Sequence, residues 1–204
     1  GHMEVLTLRR RVNTSARITT VALLASLLAS CGGSDNNPTG PSGSCALTAP
    51  RGTMTAQVNG AAFTADFSTQ ATITNSTANG PNVVQISGVG CIGGTATRVQ
   101  QIIITLGRLT PITVGTYGLS PSSQGQPAGS GYSGIGSFIS APNLWYSNLS
   151  DAAGPGSGTV TFTTITATRL AGTFSLVLAS TSSNTSGNTG RVTVANGAFD
   201  IPTP

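Results

Sequence analysis

The sequence predicts an all-β fold, an antiparallel β-sandwich with a closed β-barrel as the alternative. Apolar residues recur at every second position, turn residues divide the chain into about ten short strands, and no segment has helical periodicity. Without helices there is no βαβ alternation from which to build a parallel sheet.

The strands follow in order. Thr53–Val58 and Ala61–Phe67 flank Asn59-Gly60, a strong hairpin signal because both turn residues must take positive φ. Phe63, Ala65 and Phe67 alternate along the second strand and are expected to face the core. Ala71–Asn75, Asn82–Ser87, Arg98–Leu106 and Ile112–Tyr117 are each bounded by Gly, Pro or Asn. Gln101-Ile102-Ile103-Ile104-Thr105 is apolar on both faces, which predicts a central strand. Leu119–Gly134 is rich in Ser, Pro, Gly and Gln and reads as a long loop. Strands resume at Gly136–Ser140 and Leu144–Ser147. In Thr159–Thr166, Val160 and Phe162 share a face but Ile165 is out of phase, so a bulge near Thr163-Thr164 is expected. Phe174, Leu176 and Leu178 alternate inward, Ser180–Gly190 turns the chain, and Val192 and Val194 return. Asn196-Gly197 reads as a further turn before Phe199 and Ile201.

The chain has 204 residues, enough for one domain with short appendages. Only 7% of residues are charged, against roughly 25% in an ordinary soluble protein. The net charge of +4 does not point to nucleic acid. Arg9, Arg10, Arg11 and Arg17 face only Glu4 within the first thirty residues, while the other five arginines are scattered among four aspartates. They make no stripe that could track phosphates.

The basic stretch instead opens a targeting segment. Arg9-Arg10-Arg11 and Arg17 form a positive n-region, and Ile18–Leu28 a short apolar run suited to a signal peptide. Leu28-Ala29-Ser30-Cys31 resembles the lipobox of bacterial lipoproteins. That resemblance implies cleavage before Cys31, lipidation of its sulfur, and a membrane anchor that several acyl chains make stable. Residues 1–30 are then signal peptide, with Gly1-His2 before Met3 resembling a non-native scar. Residues 31–44 are the lipidated cysteine and a tether with no apolar side chain after Cys31, holding the domain about 20 Å from the membrane on average. Residues 45–204 form the single domain. Gly32 stands where the lipoprotein sorting rule places aspartate for inner-membrane retention, so the resemblance favours the outer membrane.

With Cys31 lipidated, Cys45 and Cys91 remain, an even pair in an oxidising compartment, and a disulfide between them is expected. It would fasten the start of the domain to a turn at Gly88–Gly94. Met54–Ala65 with its Val58-Asn59-Gly60 turn, Gly172-Thr173-Phe174-Ser175, and Val194–Asp200 are together similar to lipoproteins of Bacteroidota and Gemmatimonadota. Those proteins carry a lipobox, a polar tether and one β-rich domain with a Val-Asn-Gly hairpin. The resemblance implies location and architecture and supplies no activity.

A search for catalytic chemistry finds little. Gly88-Val89-Gly90-Cys91-Ile92-Gly93 matches G-x-G-x-x-G, but no helix follows to receive a pyrophosphate and no acidic residue stands about 20 positions on. There is no G-x-S-x-G, and His2 is the only histidine. Asp66, Asp151 and Asp200 are far apart and read as solvated strand or turn residues, so neither a glycosidase pair nor a metal site is indicated. No enzyme, cofactor or metal is expected.

Recognition by aromatic side chains is the remaining candidate. Trp145 and Tyr146 are adjacent on a strand and should point to opposite faces, and Tyr132 sits in the glycine-rich loop. Exposed, they would suit a partner's pocket or a sugar ring. The expectation is therefore a non-catalytic, lipid-anchored envelope protein acting through protein contacts, with glycan or small-ligand binding as the alternative.

Overall fold

A computed structural model describes residues 52–74, 82–92, 95–120, 133–181 and 190–203. The described chain is all-β, and its main element is one curled antiparallel sheet, a half-barrel. In chain order the strands are β1 (Thr53–Val58), β2 (Ala61–Thr64), β3 (Ser68–Thr74), β4 (Asn82–Ile92), β5 (Thr95–Arg108), β6 (Gly115–Gly118) and β7 (Ser133–Ser140). They continue with β8 (Asn143–Tyr146), β9 (Ser150–Asp151), β10 (Gly154–Pro155), β11 (Ser157–Thr166), β12 (Arg169–Ser180) and β13 (Val192–Pro202).

The main sheet runs β2-β1-β13-β12-β8-β7-β5-β4-β3, with β11 also on β12 and β6 on β11; β9 and β10 form a separate hairpin. The long strand β12 explains the curl. Its Arg169–Val177 part pairs with β11, and beyond that Ala179 and Ser180 pair with Tyr146 and Trp145 of β8. One strand thus belongs to two arms, as strands at sandwich corners do.

The two arms meet over one core. A methyl group on Gly136 of β7 would lie 2.5 Å from a Leu176 methyl of β12, and one on Gly88 of β4 would lie 2.6 Å from the Met54 sulfur of β1. At the end away from β12 the chain crosses between arms in three residues. Ala65 N–H donates to Met54 O at 2.9 Å, and Phe67 N–H donates to Val89 O at 3.0 Å.

Alternation decides which side chains enter that core. Met54, Ala56 and Val58 are buried in β1 between exposed Thr53, Thr55 and Gln57. Ile102, Ile104 and Leu106 are fully buried in β5, which lies between β4 and β7 as its apolar run predicts. Rings from β6, β11, β13 and β12 form a chain. Tyr117 to Phe162 spans 5.9 Å, Phe162 to Phe199 5.7 Å, and Phe199 to Phe174 6.3 Å, centroid to centroid. The first two contacts are edge-on, a geometry aromatic quadrupoles favour.

Two local predictions meet their counterparts directly. Asn59 and Gly60 have φ of 50° and 82°, as a two-residue hairpin turn requires. The register of β11 on β12 shifts between Phe162 and Thr164, and Ile165 packs against the core after the shift.

Other expectations need correction. Asn196-Gly197 is not a turn but a bulge inside the continuous strand β13. Register shifts there on both neighbours, opposite Thr55/Gln57 and Phe174/Leu176. Asn196 takes φ of 51°, and the extra residue moves the buried positions from Val192 and Val194 to Gly197, Phe199 and Ile201. Phe67 lies beyond the end of β2 and is 36% exposed, so it is not core. Gly88–Ile92 is strand rather than turn. Leu119 lies outside the strands as expected but is fully buried, and at the far end of the expected loop Ser133 and Gly134 already belong to β7. The strand expected at Ile112–Tyr117 begins only at Gly115, because the Tyr117 hydroxyl takes up both the N–H and the carbonyl of Thr113 and holds the residues before β6 as a loop. Among the described residues there are thirteen strands against about ten expected, and two of them, β9 and β10, have only two residues each. The signal segment, Cys31, the tether, Cys45 and Tyr132 lie outside the described residues.

Candidate functional site

The aromatic pair divides as adjacency on a strand dictates. Trp145 points inward and is 4% exposed, with its ring 5.8 Å from Phe138 and its Nε1–H donating to Gly190 O at 2.8 Å. Tyr146 is half-buried on the other face. A Trp145 ring enclosed in this way cannot stack on a sugar, so the expected contact surface of Tyr132, Trp145 and Tyr146 loses its largest member. Burial wins because β8 joins the two arms, where a large ring fills the corner.

The three described aspartates are not simply solvated. Asp66 Oδ1 accepts the Cys91 N–H at 2.9 Å, fixing the crossing between arms. Asp151 Oδ1 accepts the Ala153 N–H within the β9–β10 hairpin, and both its oxygens accept from Arg191 Nε at 3.0 and 3.2 Å. The same guanidinium donates to Gly154 O and Pro155 O, so one arginine ties the hairpin to the start of β13. Asp200 forms a two-pronged pair with Arg169, Nε to Oδ1 at 2.7 Å and Nη2 to Oδ2 at 2.5 Å. Hydrogen bonds from Arg191 and Arg169 hold the Asp151 and Asp200 carboxyls below the usual carboxylate range. Both are anions engaged by cations at neutral pH, a poor state for a general acid.

The Arg169–Asp200 pair lies in an open hollow of about 400 Å³ with Gly52, Thr53, Thr168 and Pro202. Its two side chains are 56% and 46% exposed, and each neutralises the other. Among the described residues no histidine, cysteine or second carboxylate lines it. Elsewhere, Cys91 is disulfide-bonded. Its sulfur partner lies outside the described residues, because Cys91 is the only cysteine within them.

A second surface escaped the sequence reading. Residues 109–114 link β5 to β6, and Leu109 and Val114 at their two ends are 48% and 59% exposed. Tyr117 sets the loop's shape: its hydroxyl donates to Thr113 O at 2.7 Å and accepts the Thr113 N–H at 3.0 Å. Arg108 lies against that same ring, its guanidinium carbon 5.5 Å from the centroid. Arg108 Nε is buried and has no hydrogen-bond partner. The one available signal was a Leu-Thr-Pro step after an arginine at a strand end, which is not specific. Among the described residues no three His, Cys, Asp or Glu side chains gather as a metal site.

No family model matches the chain, and neither a characterised protein nor a solved structure gives a significant match to it.

Proposed function

We propose that this chain is the precursor of a lipid-anchored protein of the bacterial cell envelope, one whose β-domain works through protein contacts rather than catalysis. The observation that carries the reading is the ordered run of Arg9–Arg11, the short apolar Ile18–Leu28 and Leu28-Ala29-Ser30-Cys31, followed by an uninterrupted polar tether. Cys31 carries the lipid, the outer membrane is the favoured location, and the membrane is the first partner. Cys45 is then the thiol left to pair with Cys91, closing a loop that stabilises the domain by about 4 kcal/mol in the chain-entropy model.

Support for a non-catalytic role comes from the carboxylates. Asp66, Asp151 and Asp200 are each committed to a backbone or arginine contact that the fold uses. Sugar stacking is not favoured, since Trp145 is enclosed.

Intact-mass measurement of the protein from native membranes tests the anchor. The expected species begins at Cys31 and carries acyl mass, and Cys31→Ser is expected to leave an unprocessed chain. A free thiol at Cys31 with residues 3–30 still attached would refute the reading. Cross-linking in the native host, followed by recovery from solubilised membranes, tests for protein contacts; a monomer without a reproducible partner would refute that half.

A further inference from the structure

Among the arginines whose side chains the structure describes, Arg108 alone has no carboxylate. Arg169 has Asp200 and Arg191 has Asp151, while Asp66 is occupied by the Cys91 N–H. The sequence beside it offers no substitute. Residues 75–81 lead into Asn82, the cross-strand partner of Arg108, and residues 121–132 lead into Ser133, the partner of the adjacent Gly107. Neither segment contains Asp or Glu. A buried Nε with no acceptor calls for one, which an ordered water or a ligand can supply; Thr69 Oγ1 and Asn143 Oδ1 are unpartnered in the same way but carry no charge. Stacking on Tyr117 fixes the cation in place beforehand, so little rotamer freedom remains to be lost on binding.

The surroundings are apolar and accessible. Leu109 and Val114 stand exposed at the two ends of the same six-residue loop. The loop is also remote from the disulfide. Arg108 pairs with Asn82 at the start of β4 and Cys91 lies near its end, nine residues on, about 30 Å at the rise of a strand.

We infer that Arg108, Leu109 and Val114, with the buried Tyr117 ring holding the arginine in place, form a docking surface for an extended peptide segment of a partner protein, one carrying an acidic side chain between apolar residues. This rests on the reading that the domain acts through protein contacts, and it names the partner's chemistry. Apolar contacts at both ends of the loop suit a carboxylate within a segment. An anionic lipid surface is the weaker fit, because one basic residue near a membrane contributes only about 1 kcal/mol.

The test uses the full chain and two fluorescein-labelled, end-capped peptides, Ser-Leu-Asp-Leu-Ser and its isostere with Asn for Asp. Binding is followed by anisotropy, with phosphatidylglycerol vesicles as a separate arm. The acidic peptide is expected to bind about tenfold more tightly than the isostere, a difference of roughly 1.4 kcal/mol. That margin should disappear in Arg108→Met and shrink at high salt. Val114→Ser keeps the cation and should weaken both peptides together. A thermal melt of each variant confirms that it is folded, and the exposed Val114 site remains informative if Arg108→Met does not fold. Equal binding of the two peptides, an undiminished margin in folded Arg108→Met, or Arg108-dependent binding to the vesicles alone would overturn the inference. If the native-host cross-links persist in Arg108→Met, the protein-contact reading survives while this surface is excluded.

Discussion

Phe162→Ala tests the packing on which both arms depend. Phe162 is 2% exposed and lies between two rings, Tyr117 at 5.9 Å and Phe199 at 5.7 Å, so little solvent is available to fill the space it leaves. Truncating a buried phenylalanine costs about 3–5 kcal/mol, a large share of the roughly 5–15 kcal/mol that holds a typical domain together. At roughly 2–4 °C per kcal/mol for a domain of this size, the melting point should fall by about 6–20 °C. Phe162→Leu separates bulk from ring geometry. It keeps most of the apolar volume but forfeits two edge-on contacts, each worth about 0.5–1.5 kcal/mol. Urea unfolding followed by fluorescence of Trp145, the only tryptophan, gives each value. A double-mutant cycle of Phe162→Leu with Phe199→Leu should return a coupling of about 0.5–1.5 kcal/mol. A loss below about 1 kcal/mol for the alanine variant, or a coupling indistinguishable from zero, would refute the account of this core.

Three further outcomes follow from the structure. Asp151 and Asp200 have carboxyl pKa values lowered from the ordinary 3.8 by their arginines, so their contribution is complete above that value and lost as the pH falls through the depressed folded values. Urea midpoints should drop below about pH 4, and Asp151→Asn with Asp200→Asn should flatten that drop; an unchanged slope would show the pairs to be energetically idle. Gly172→Ala would drive a methyl into the Thr161 carbonyl and to 2.9 Å from the Phe199 ring, costing at least about 1–3 kcal/mol, whereas Gly118→Ala, with open space around it, should stay within about 0.5 kcal/mol in thermal melts. Trp145 fluorescence should be blue-shifted and poorly quenched by acrylamide until the protein unfolds, and soluble glycans should leave it unchanged; ready quenching in the native state would return the ring to the surface.

The strands were legible because alternation and turn chemistry are local. Asn59-Gly60 was read correctly as a hairpin and Asn196-Gly197 incorrectly as a turn for the same reason: both need positive φ, and the dipeptide cannot say which structure uses it. What separates them is tertiary. Gly197 sits under the Phe174 ring, where any Cβ would come within 2.5 Å, and that neighbour is not visible in a window of sequence. Phe67 failed similarly. Its alternation with Phe63 and Ala65 is real, but the chain leaves β2 after Thr64 to cross between the arms. The glycines of the G-x-G-x-x-G string have a packing cause as well, since Gly88 and Gly90 admit Met54 and the Thr64 backbone close to β4.

Function was less legible for a physical reason that Arg108 illustrates. Composition can say that a chain has nine basic and five acidic groups, but not which remain unmatched once the chain folds. Asp151 and Arg191 are forty residues apart and Asp200 and Arg169 thirty-one, so the pairings are products of topology. Among the described side chains, subtracting them leaves Arg108, stacked on Tyr117 at the end of β5 and flanked by exposed Leu109 and Val114. A charge held in place without its counterion contributes little to folding and lowers the cost of binding one. The aromatic residues singled out from sequence point elsewhere because aromaticity alone does not distinguish a ring that fills a corner from a ring that greets a partner. Trp145 does the first, and its burial transfers the search for a contact surface to the loop after β5.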